Sequence, residues 1–199
     1  MKKNNRLPSL LLACSLLLAC NQPRPVKPFY PLDEDMRAWF AVPEPGAWYL
    51  YLNRYSGQHD TMTVEYKNNS DNTMLTPYIG EGYSIKYRCS FNPDFVTRVT
   101  TTDDAYYFTI SYSVGGAHSF SKKDGQYTPE ETVTILDSLE VSGTVYREVL
   151  RTTQEGVGYG PSYRKLYFAK GIGIIRKERV GAGGASADPV FDLVDYRLP

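Results

Sequence analysis

The chain has 199 residues, in which 22 lysines and arginines balance 22 aspartates and glutamates. A net charge of zero argues against a basic surface for nucleic acid, so we predict no nucleic-acid partner. Hydrophobic residues make up 42% of the chain and aromatic residues 14%, which excludes a disordered protein. The length is that of one domain.

The first 19 residues have the pattern of a secretory signal peptide. A positive segment with Lys2, Lys3 and Arg6 precedes an apolar run at residues 7–19. This run is shorter than the roughly 20 apolar residues that a membrane-spanning helix needs, and its flanks are those of a secretory signal. The sequence therefore predicts that residues 1–19 are removed on export.

The apolar run closes with Leu-Leu-Ala-Cys at residues 17–20, which resembles the lipobox of bacterial lipoproteins. The resemblance implies cleavage between Ala19 and Cys20, diacylglycerol on the Cys20 sulfur and acylation of the new amino terminus. Two or three acyl chains anchor a protein firmly to a membrane. The alternatives are an ordinary signal peptide with a chance cysteine, and a second lipobox at residues 11–14, which too short an apolar run precedes.

Residues 20–31 are predicted to form a tether, because prolines at 23, 25, 28 and 31 favour extended polyproline geometry. Such a tether would hold the folded domain ~35 Å or less from the membrane. Asn21 stands where an Asp favours inner-membrane retention in enteric-type sorting. The acidic stretch that marks surface export in Bacteroidetes-type lipoproteins is absent. We therefore expect an outer-membrane anchor and a domain that faces the periplasm.

Residues 32–199 are predicted to form a single β domain with one short N-terminal helix. The helix is predicted over Asp33–Phe40, because Leu32, Met36 and Phe40 recur at helical spacing and the acids at 33–35 suit a helix start. Alternating side chains bounded by turn residues predict the strands. They are Ala47–Asn53, Asp60–Lys67, Gly82–Phe91, Phe95–Thr102, Ala105–Val114, Ala117–Lys122, Thr132–Val141, Thr144–Thr152, Tyr163–Ala169, Ile172–Val180 and Val190–Leu198.

The loops between these strands are too short for crossover helices, so the sheet is predicted to be mainly antiparallel. About ten strands in one domain fit a single curled sheet, or an open or half barrel. In the first strand, Trp48, Leu50 and Leu52 share one face, while Tyr49 and Tyr51 share the other. Aromatic residues on both faces are expected where a sheet curls around a cavity or packs a helix; the alternative is that 17 tyrosines simply cover a broad β surface.

Residues with catalytic or metal-binding chemistry are few. Cys89 is the one thiol left after processing, and a catalytic cysteine would need a histidine base nearby. His59 and His118 lie in or beside predicted turns and are interpreted as solvated, while Cys89 is predicted to be a small buried residue. The acidic pairs at 103–104 and 130–131 are interpreted as strand-end or turn acids, because neighbours on a strand point to opposite faces. No catalytic residue, metal site or cofactor is predicted.

The segment from Gly171 to Arg176 resembles a dinucleotide-binding loop only at its first two glycines. It continues as a strand and opens no helix, which excludes the phosphate-binding interpretation. Gly171 is instead predicted to supply the positive φ of a hairpin turn. Gly173 is predicted to permit the close approach of a neighbouring backbone or ring, such as that of Tyr167 or Phe168 across the ladder.

Residues 139–150 and 167–176 resemble a recurring pattern in Bacteroidetes-type lipoproteins that have no assigned activity. Its elements are a short strand, a glycine turn, Tyr-x-x-Val, and an aromatic-Ala-x-Gly-Val/Ile-Gly strand pair. The same proteins are also matched by Gly-Ala-Trp-Tyr-Leu at residues 46–50 and by Asp-Thr at residues 60–61. The resemblance implies half-barrels or open barrels, somewhat like periplasmic lipoprotein carriers, and it assigns no catalytic residue.

The sequence therefore predicts a membrane-anchored, non-enzymatic envelope module that binds an apolar or amphipathic ligand on its concave face. The first alternative is a structural protein that docks an envelope protein complex through an aromatic face, and the second is an exported hydrolase. A carrier requires an apolar cavity lined by inward aromatic side chains. A docking protein requires a filled core and an exposed aromatic patch. An enzyme requires acids or histidines that converge in a cleft.

Overall fold

A computed structural model describes residues 26–40, 43–69, 79–112, 117–129, 133–153, 163–179 and 190–199. The predicted signal peptide, Cys20 and most of the tether lie outside these residues. The helix, α1, is Glu34–Phe40. The strands are β1 (Phe29–Tyr30), β2 (Trp48–Asn53), β3 (His59–Asn69), β4 (Ile79–Gly80), β5 (Gly82–Cys89), β6 (Phe95–Thr101), β7 (Tyr106–Tyr112), β8 (Ala117–Lys123), β9 (Gln126–Thr128), β10 (Val133–Val141), β11 (Thr144–Thr153), β12 (Tyr163–Ala169), β13 (Gly173–Arg179) and β14 (Val190–Arg197).

Twelve of these strands form one sheet, in the order β10-β11-β12-β13-β14-β2-β3-β5-β6-β7-β8-β9. Every neighbouring pair is antiparallel. The strand twist accumulates over so many strands that the sheet curls into a nearly closed barrel. The predicted mainly-β fold, with one curled antiparallel sheet and a short N-terminal helix, is confirmed. Its two edge strands are β9 and β10.

The predicted strands match the observed ones to within a few residues, but three short strands were not predicted. β1 and β4 pair in parallel as a separate two-stranded sheet, and β9 adds an edge to the large sheet. Two or three residues are too few for an alternating pattern to be recognised. Ser142 and Gly143 connect β10 to β11 as a two-residue hairpin turn, with positive φ of 49° and 80°.

The helix α1 fills the concave side of the sheet. Asp33 starts it, because its Oδ1 accepts a hydrogen bond of 2.6 Å from the backbone N–H of Met36, as an N-cap residue does. One face of the helix, with Met36, Trp39 and Phe40, is buried. That face contacts β6, β12 and β13, which come from separate parts of the curled sheet. The helix therefore occupies the space that the curl encloses.

Aromatic rings pack around Phe40 at the centre of this interior. The centroid of its ring lies 4.1 Å from that of Phe108, 4.8 Å from that of Phe168 and 6.0 Å from that of Phe120. These strands place their rings inward because alternate side chains of a strand share a face. Phe108 is completely buried on this inward face.

The tyrosine face of β2 is the buried one. Tyr49 and Tyr51 have no exposed surface. Their hydroxyls donate hydrogen bonds of 2.9 Å and 2.8 Å to the carbonyl oxygens of Ile172 and Ile174. β13 pairs with β14 only through residues 176–178, and the tyrosines bind the backbone where that pairing has ended. Part of the aromatic excess therefore satisfies backbone groups of the curled sheet.

Gly173 corrects one prediction. Its φ is +96°, a conformation that side-chain-bearing residues rarely adopt. A Cβ atom there would meet only the hydroxyl of Tyr49, at an ordinary distance of 3.6 Å. The predicted close approach of Tyr167 or Phe168 is therefore wrong, because the backbone conformation is what requires glycine. The predicted positive φ of Gly171 is confirmed at 74°.

The end of the tether is fixed to the sheet beside α1. β1 pairs with β4, and Glu81, directly after β4, accepts hydrogen bonds of 2.9 Å from the backbone N–H of Leu32 and 2.7 Å from the guanidinium of Arg37. Gly80 allows this arrangement, because a Cβ atom there would lie 2.1 Å from the backbone oxygen of Thr101. The chain that leads to Cys20 therefore leaves the domain from a defined point.

Candidate functional site

A pocket of about 260 Å³ lies where the two edge strands face each other without closing the barrel. Gln126 and Tyr127 of β9 form one wall with Gly125 of the preceding turn, and Val133 of β10 forms the other. We call it the seam pocket.

Tyr127 connects the seam pocket to the aromatic interior. Its ring lies 5.8 Å from the ring of Phe120, in an edge-to-face arrangement. Its hydroxyl is buried and makes no hydrogen bond. Burial, with the nearby carboxylates of Asp33 and Asp35, raises the pKa of Tyr127 to about 12. The site therefore disfavours negative charge on this oxygen.

Thr152 carries a second buried hydroxyl, next to the strand that borders the seam pocket. It lies on β11 directly opposite Val133, so the two side chains are on the same face with Cβ atoms about 4.5–5.5 Å apart. Thr152 is completely buried, and its hydroxyl also makes no hydrogen bond. A buried polar group without a partner costs about 1–3 kcal/mol. Thr152 itself is not among the described residues that line the pocket.

Charge near the seam pocket is balanced by ion pairs on α1 and its neighbours. The carboxylate of Asp33 lies 3.2 Å from the ammonium of Lys122, and that of Asp35 lies 2.7 Å from the ammonium of Lys170. The ammonium of Lys122 also lies 5.8 Å from the centroid of the Tyr127 ring. Each carboxylate therefore already has a cation.

The buried polar atoms of Asp60 and Lys177 have hydrogen-bond partners within the chain, unlike the hydroxyls of Tyr127 and Thr152. Asp60 and Lys177 have no exposed surface, and Lys177 Nζ donates to Asp60 Oδ2 over 2.6 Å. The same ammonium lies 3.9 Å from the centroid of the Tyr51 ring. Asp60 also accepts hydrogen bonds of 2.7 Å from the side-chain amide of Asn92 and 2.9 Å from the backbone N–H of Phe91. The pair therefore joins β3 and β13 to the turn that follows β5.

Burial of Asp60 would raise the pKa of its carboxyl group, but the positive charge and hydrogen bond of Lys177, with the other hydrogen bonds, outweigh this effect. The pKa of Asp60 is therefore below its usual range, and the carboxylate is charged at neutral pH. The buried charges of this network are paired with each other and with hydrogen-bond donors of the chain, which indicates a structural role.

A larger surface pocket, of about 550 Å³, lies near the tip of the β10–β11 hairpin. Asp192 is held there by Arg176, whose NH2 atom is 2.9 Å from Oδ2, and by Arg54, whose Nε atom is 3.3 Å from Oδ2. Arg176 also donates to the backbone oxygen of Glu140 over 3.2 Å. Asp192 and the two arginines are paired with one another, so the polar groups of this pocket already have partners.

The third buried polar atom without a hydrogen bond is Nε of Arg151. Because Arg151 precedes Thr152 on β11, its side chain lies on the opposite face of the sheet. It donates through NH2 to the hydroxyl of Thr134 over 3.1 Å. We therefore do not assign it to the seam pocket.

The residues singled out in the sequence do not converge on a catalytic site in the described part of the chain. Cys89 ends β5 and is half-buried, whereas full burial was predicted. His59 is exposed at the start of β3, as its interpretation as a solvated residue requires. The acids at 103–104 lie in a bend after β6 and are exposed, which confirms them as turn acids. Cys20, the acids at 130–131 and the side chain of His118 lie outside the described residues.

Among the described residues, no three histidine, cysteine or acidic side chains are grouped so that they could hold a metal ion. No helix in that part of the chain has the length and apolar character needed to cross a bilayer. Comparisons of the chain with protein families, with curated proteins and with solved structures found no match. The function of the protein is therefore inferred from the geometry of the chain itself.

Proposed function

We propose that this protein is a membrane-anchored envelope lipoprotein whose domain is a non-enzymatic binding module for an amphipathic ligand, held at the seam pocket. The observation that carries the proposal is the seam pocket itself, which Tyr127 lines, because the ring of Tyr127 lies 5.8 Å from that of Phe120 in the aromatic interior. Acyl chains on Cys20 would provide the anchor, in the outer membrane and on its periplasmic side.

Only part of the ligand would enter the seam pocket. In the described residues α1 occupies the concave side of the sheet, so the ligand would not fill a deep central cavity. A cavity of about 150 Å³ already binds benzene, and the seam pocket of about 260 Å³ would hold one ring or a short acyl segment. The rest of the ligand would lie outside the domain.

The anchor would keep this site close to a source of amphipathic molecules. The nine residues from Cys20 to Phe29 span at most ~30 Å when fully extended. The tether is fixed at β1, beside the start of α1. Asp33 and Asp35, which follow the tether, lie near Tyr127 and contribute to its raised pKa. The seam pocket is therefore close to the point where the membrane-bound segment joins the domain.

Docking of an envelope protein is the second candidate function. Exposed apolar side chains on the β10–β11 hairpin and on β14 favour it: Ile135 is 49% exposed, Val145 60%, Val194 40% and Tyr196 39%.

The anchor is tested with a Cys20→Ser variant. We expect this variant to lose acyl labelling and to leave the membrane fraction, while an Asn21→Ser control keeps both. A Cys20→Ser protein that still labels and sediments with membranes would show that the lipobox assignment is wrong.

The binding function is tested by native mass spectrometry of the full chain extracted from its own envelope. We expect a non-covalent ligand of low mass on the wild type that is absent from a Val133→Trp variant, in which the larger side chain fills the seam pocket. A co-purified protein with no small ligand would support docking instead. The bare lipidated chain in both samples would contradict the binding proposal.

A further inference from the structure

We propose that the protein forms a dimer in which the edge strand β10 pairs antiparallel with β10 of a second copy, about a twofold axis at Leu136. This inference goes beyond the proposed binding function and does not depend on it. Its basis is a row of unpaired backbone groups on β10, whose spacing and side chains match those of the same strand running in the opposite direction.

β10 is the longer of the two edges of the sheet. It has nine residues, whereas β9 has three. In the described part of the chain, β10 pairs only with β11. Ile135 is 49% exposed, and Asp137 and Ser138 are also exposed. Natural edge strands are often protected by lysine or proline, and the stretch 134–138 contains neither.

The turn at 142–143 determines which backbone groups of β10 point outward. In a two-residue hairpin the residues beside the turn, here Val141 and Thr144, form a hydrogen-bonded pair, and such pairs alternate along the ladder. Odd-numbered residues of β10 therefore bond to β11, while even-numbered residues direct their N–H and C=O groups away from it. The register is the same on both sides of Asp137, so the alternation continues along the whole strand.

Three residues of β10 have free backbone groups on this outer edge. Glu140 supports the outward direction of even-numbered residues, because its carbonyl oxygen accepts a hydrogen bond of 3.2 Å from Arg176, which lies outside the hairpin. Thr134, Leu136 and Ser138 have the same orientation, and no described residue bonds to their backbone N–H and C=O groups. Unpaired groups of this kind are a template for another strand.

The free groups are complementary to those of a second copy. With Leu136 opposite its own copy, Thr134 lies opposite Ser138 of the partner subunit, and Ser138 lies opposite Thr134 of the partner subunit. Each free residue then meets a free residue, and these three hydrogen-bonded pairs supply about six N–H···O bonds. Pairs of threonine and serine across two strands also stabilise a sheet through their hydroxyls.

The charges and the apolar side chains also favour this register. Asp137, the one charged residue in the stretch 134–138, lies opposite Ile135 of the partner subunit, so no like charges face each other directly. The added strand covers part of Ile135, which is 49% exposed in the single chain. A register centred two residues further on, at Ser138, would require the carbonyl oxygen of Glu140, which Arg176 already binds.

Opposite charges at residue 136 test this register. The full chain carrying Cys20→Ser is used as the parent in every sample, so that acyl chains do not hold the copies together, and association is measured by sedimentation. We expect the parent to be a dimer. Leu136→Lys and Leu136→Glu should each associate about tenfold more weakly, because each places like charges opposite each other. An equimolar mixture of the two variants should recover the dimer, since opposite charges then meet.

Two further variants separate a lost interface from a damaged fold. Ser138→Pro removes an outward N–H group at an exposed edge position, where proline is tolerated. It should weaken the dimer about tenfold or more, because both copies lose a hydrogen bond. Val145→Lys changes a residue that is 60% exposed on β11, one strand away from the interface, and should leave the dimer intact. Circular dichroism checks that each variant keeps the β fold.

A parent chain that sediments as a monomer at every concentration tested would overturn the inference. Folded Leu136 variants that dimerise like the parent, or whose mixture does not recover the dimer, would also overturn it. If the Leu136 variants do not fold, Ser138→Pro decides, and a dimer as tight as that of the parent is the contradicting result.

The same variants distinguish this inference from the functions proposed above. If the parent is a monomer and the envelope-extracted protein holds another protein that Ser138→Pro loses, the edge binds a different partner and the self-pairing is wrong. Retention of a small ligand tests the binding function separately, and Ser138→Pro should not change it.

Discussion

Two regions of this domain bury polar groups, and they treat them in opposite ways. At the Asp60–Lys177 pair, a carboxylate and an ammonium with no exposed surface are joined over 2.6 Å, and further hydrogen bonds surround the carboxylate. On the strands near the seam pocket, the hydroxyls of Tyr127 and Thr152 are also hidden from solvent but have no hydrogen-bond partner.

The two regions differ in whether their buried polar groups have hydrogen-bond partners within the chain. Buried polar groups are normally hydrogen-bonded, because the cost of burial is otherwise uncompensated. The Asp60–Lys177 network meets this rule and holds strands of the sheet together. The hydroxyls of Tyr127 and Thr152 depart from this rule, so their burial costs stability in the folded domain.

The largest expected effect on the free energy of unfolding is at the Asp60–Lys177 pair. Lys177→Met removes the cation and leaves the Asp60 carboxylate buried without its counter-ion. We expect a loss of about 3–5 kcal/mol in the free energy of unfolding, measured by urea denaturation. Lys123→Met is the matched control and should have little effect, because Lys123 forms an exposed pair with Asp104.

A double variant makes this prediction specific. Adding Asp60→Asn to Lys177→Met removes the uncompensated charge and keeps the amide in place of the carboxylate. We expect it to recover part of the lost stability. If the double variant is less stable than Lys177→Met alone, the cost does not come from the unpaired carboxylate.

The second prediction concerns the pH dependence of the same pair. The pKa of Asp60 is lower in the folded protein than in the unfolded chain, so the unfolded chain binds the proton more readily. The stabilisation is complete above the unfolded pKa, about 4, and is lost as the pH falls through the folded value. Unfolding measured from pH 6 to pH 2 should show a smaller loss of stability in Asp60→Asn than in the wild type. Equal slopes for the two proteins would contradict the depressed pKa.

Much of the fold follows from local patterns in the sequence. The alternation in residues 105–114 correctly predicted the strand β7, and the acids at 33–35 correctly indicated the start of α1. The turn at 142–143 was recognisable from its glycine. These features depend on neighbours along the chain, which the sequence displays directly.

The seam was not predictable from sequence patterns. β9 has three residues, too few for a period, and Thr152 looked like an ordinary strand residue. Tyr127 and Val133 are close in the chain, but their strands form opposite edges of the sheet, and the sequence does not show that these two edges come together. For β2 the alternation separated two faces, but it could not tell that the tyrosine face is buried. That outcome depends on which way the sheet curls.

The smallest expected effect is also the most direct test of the comparison. Thr152→Val removes an unpartnered buried hydroxyl and keeps the shape of the side chain. Thr101→Val is the matched control, because Thr101 is as deeply buried but its hydroxyl donates to the backbone oxygen of Tyr30 over 2.6 Å. Urea denaturation of the ligand-free proteins measures both changes on one scale.

We expect Thr152→Val to raise the free energy of unfolding by about 1 kcal/mol and Thr101→Val to lower it by about 1 kcal/mol. The gain would show that the Thr152 hydroxyl lacks a partner in the folded domain and costs stability there. If Thr152→Val destabilises the domain as Thr101→Val does, the hydroxyl already has a partner within the chain, and the contrast between the two regions is contradicted.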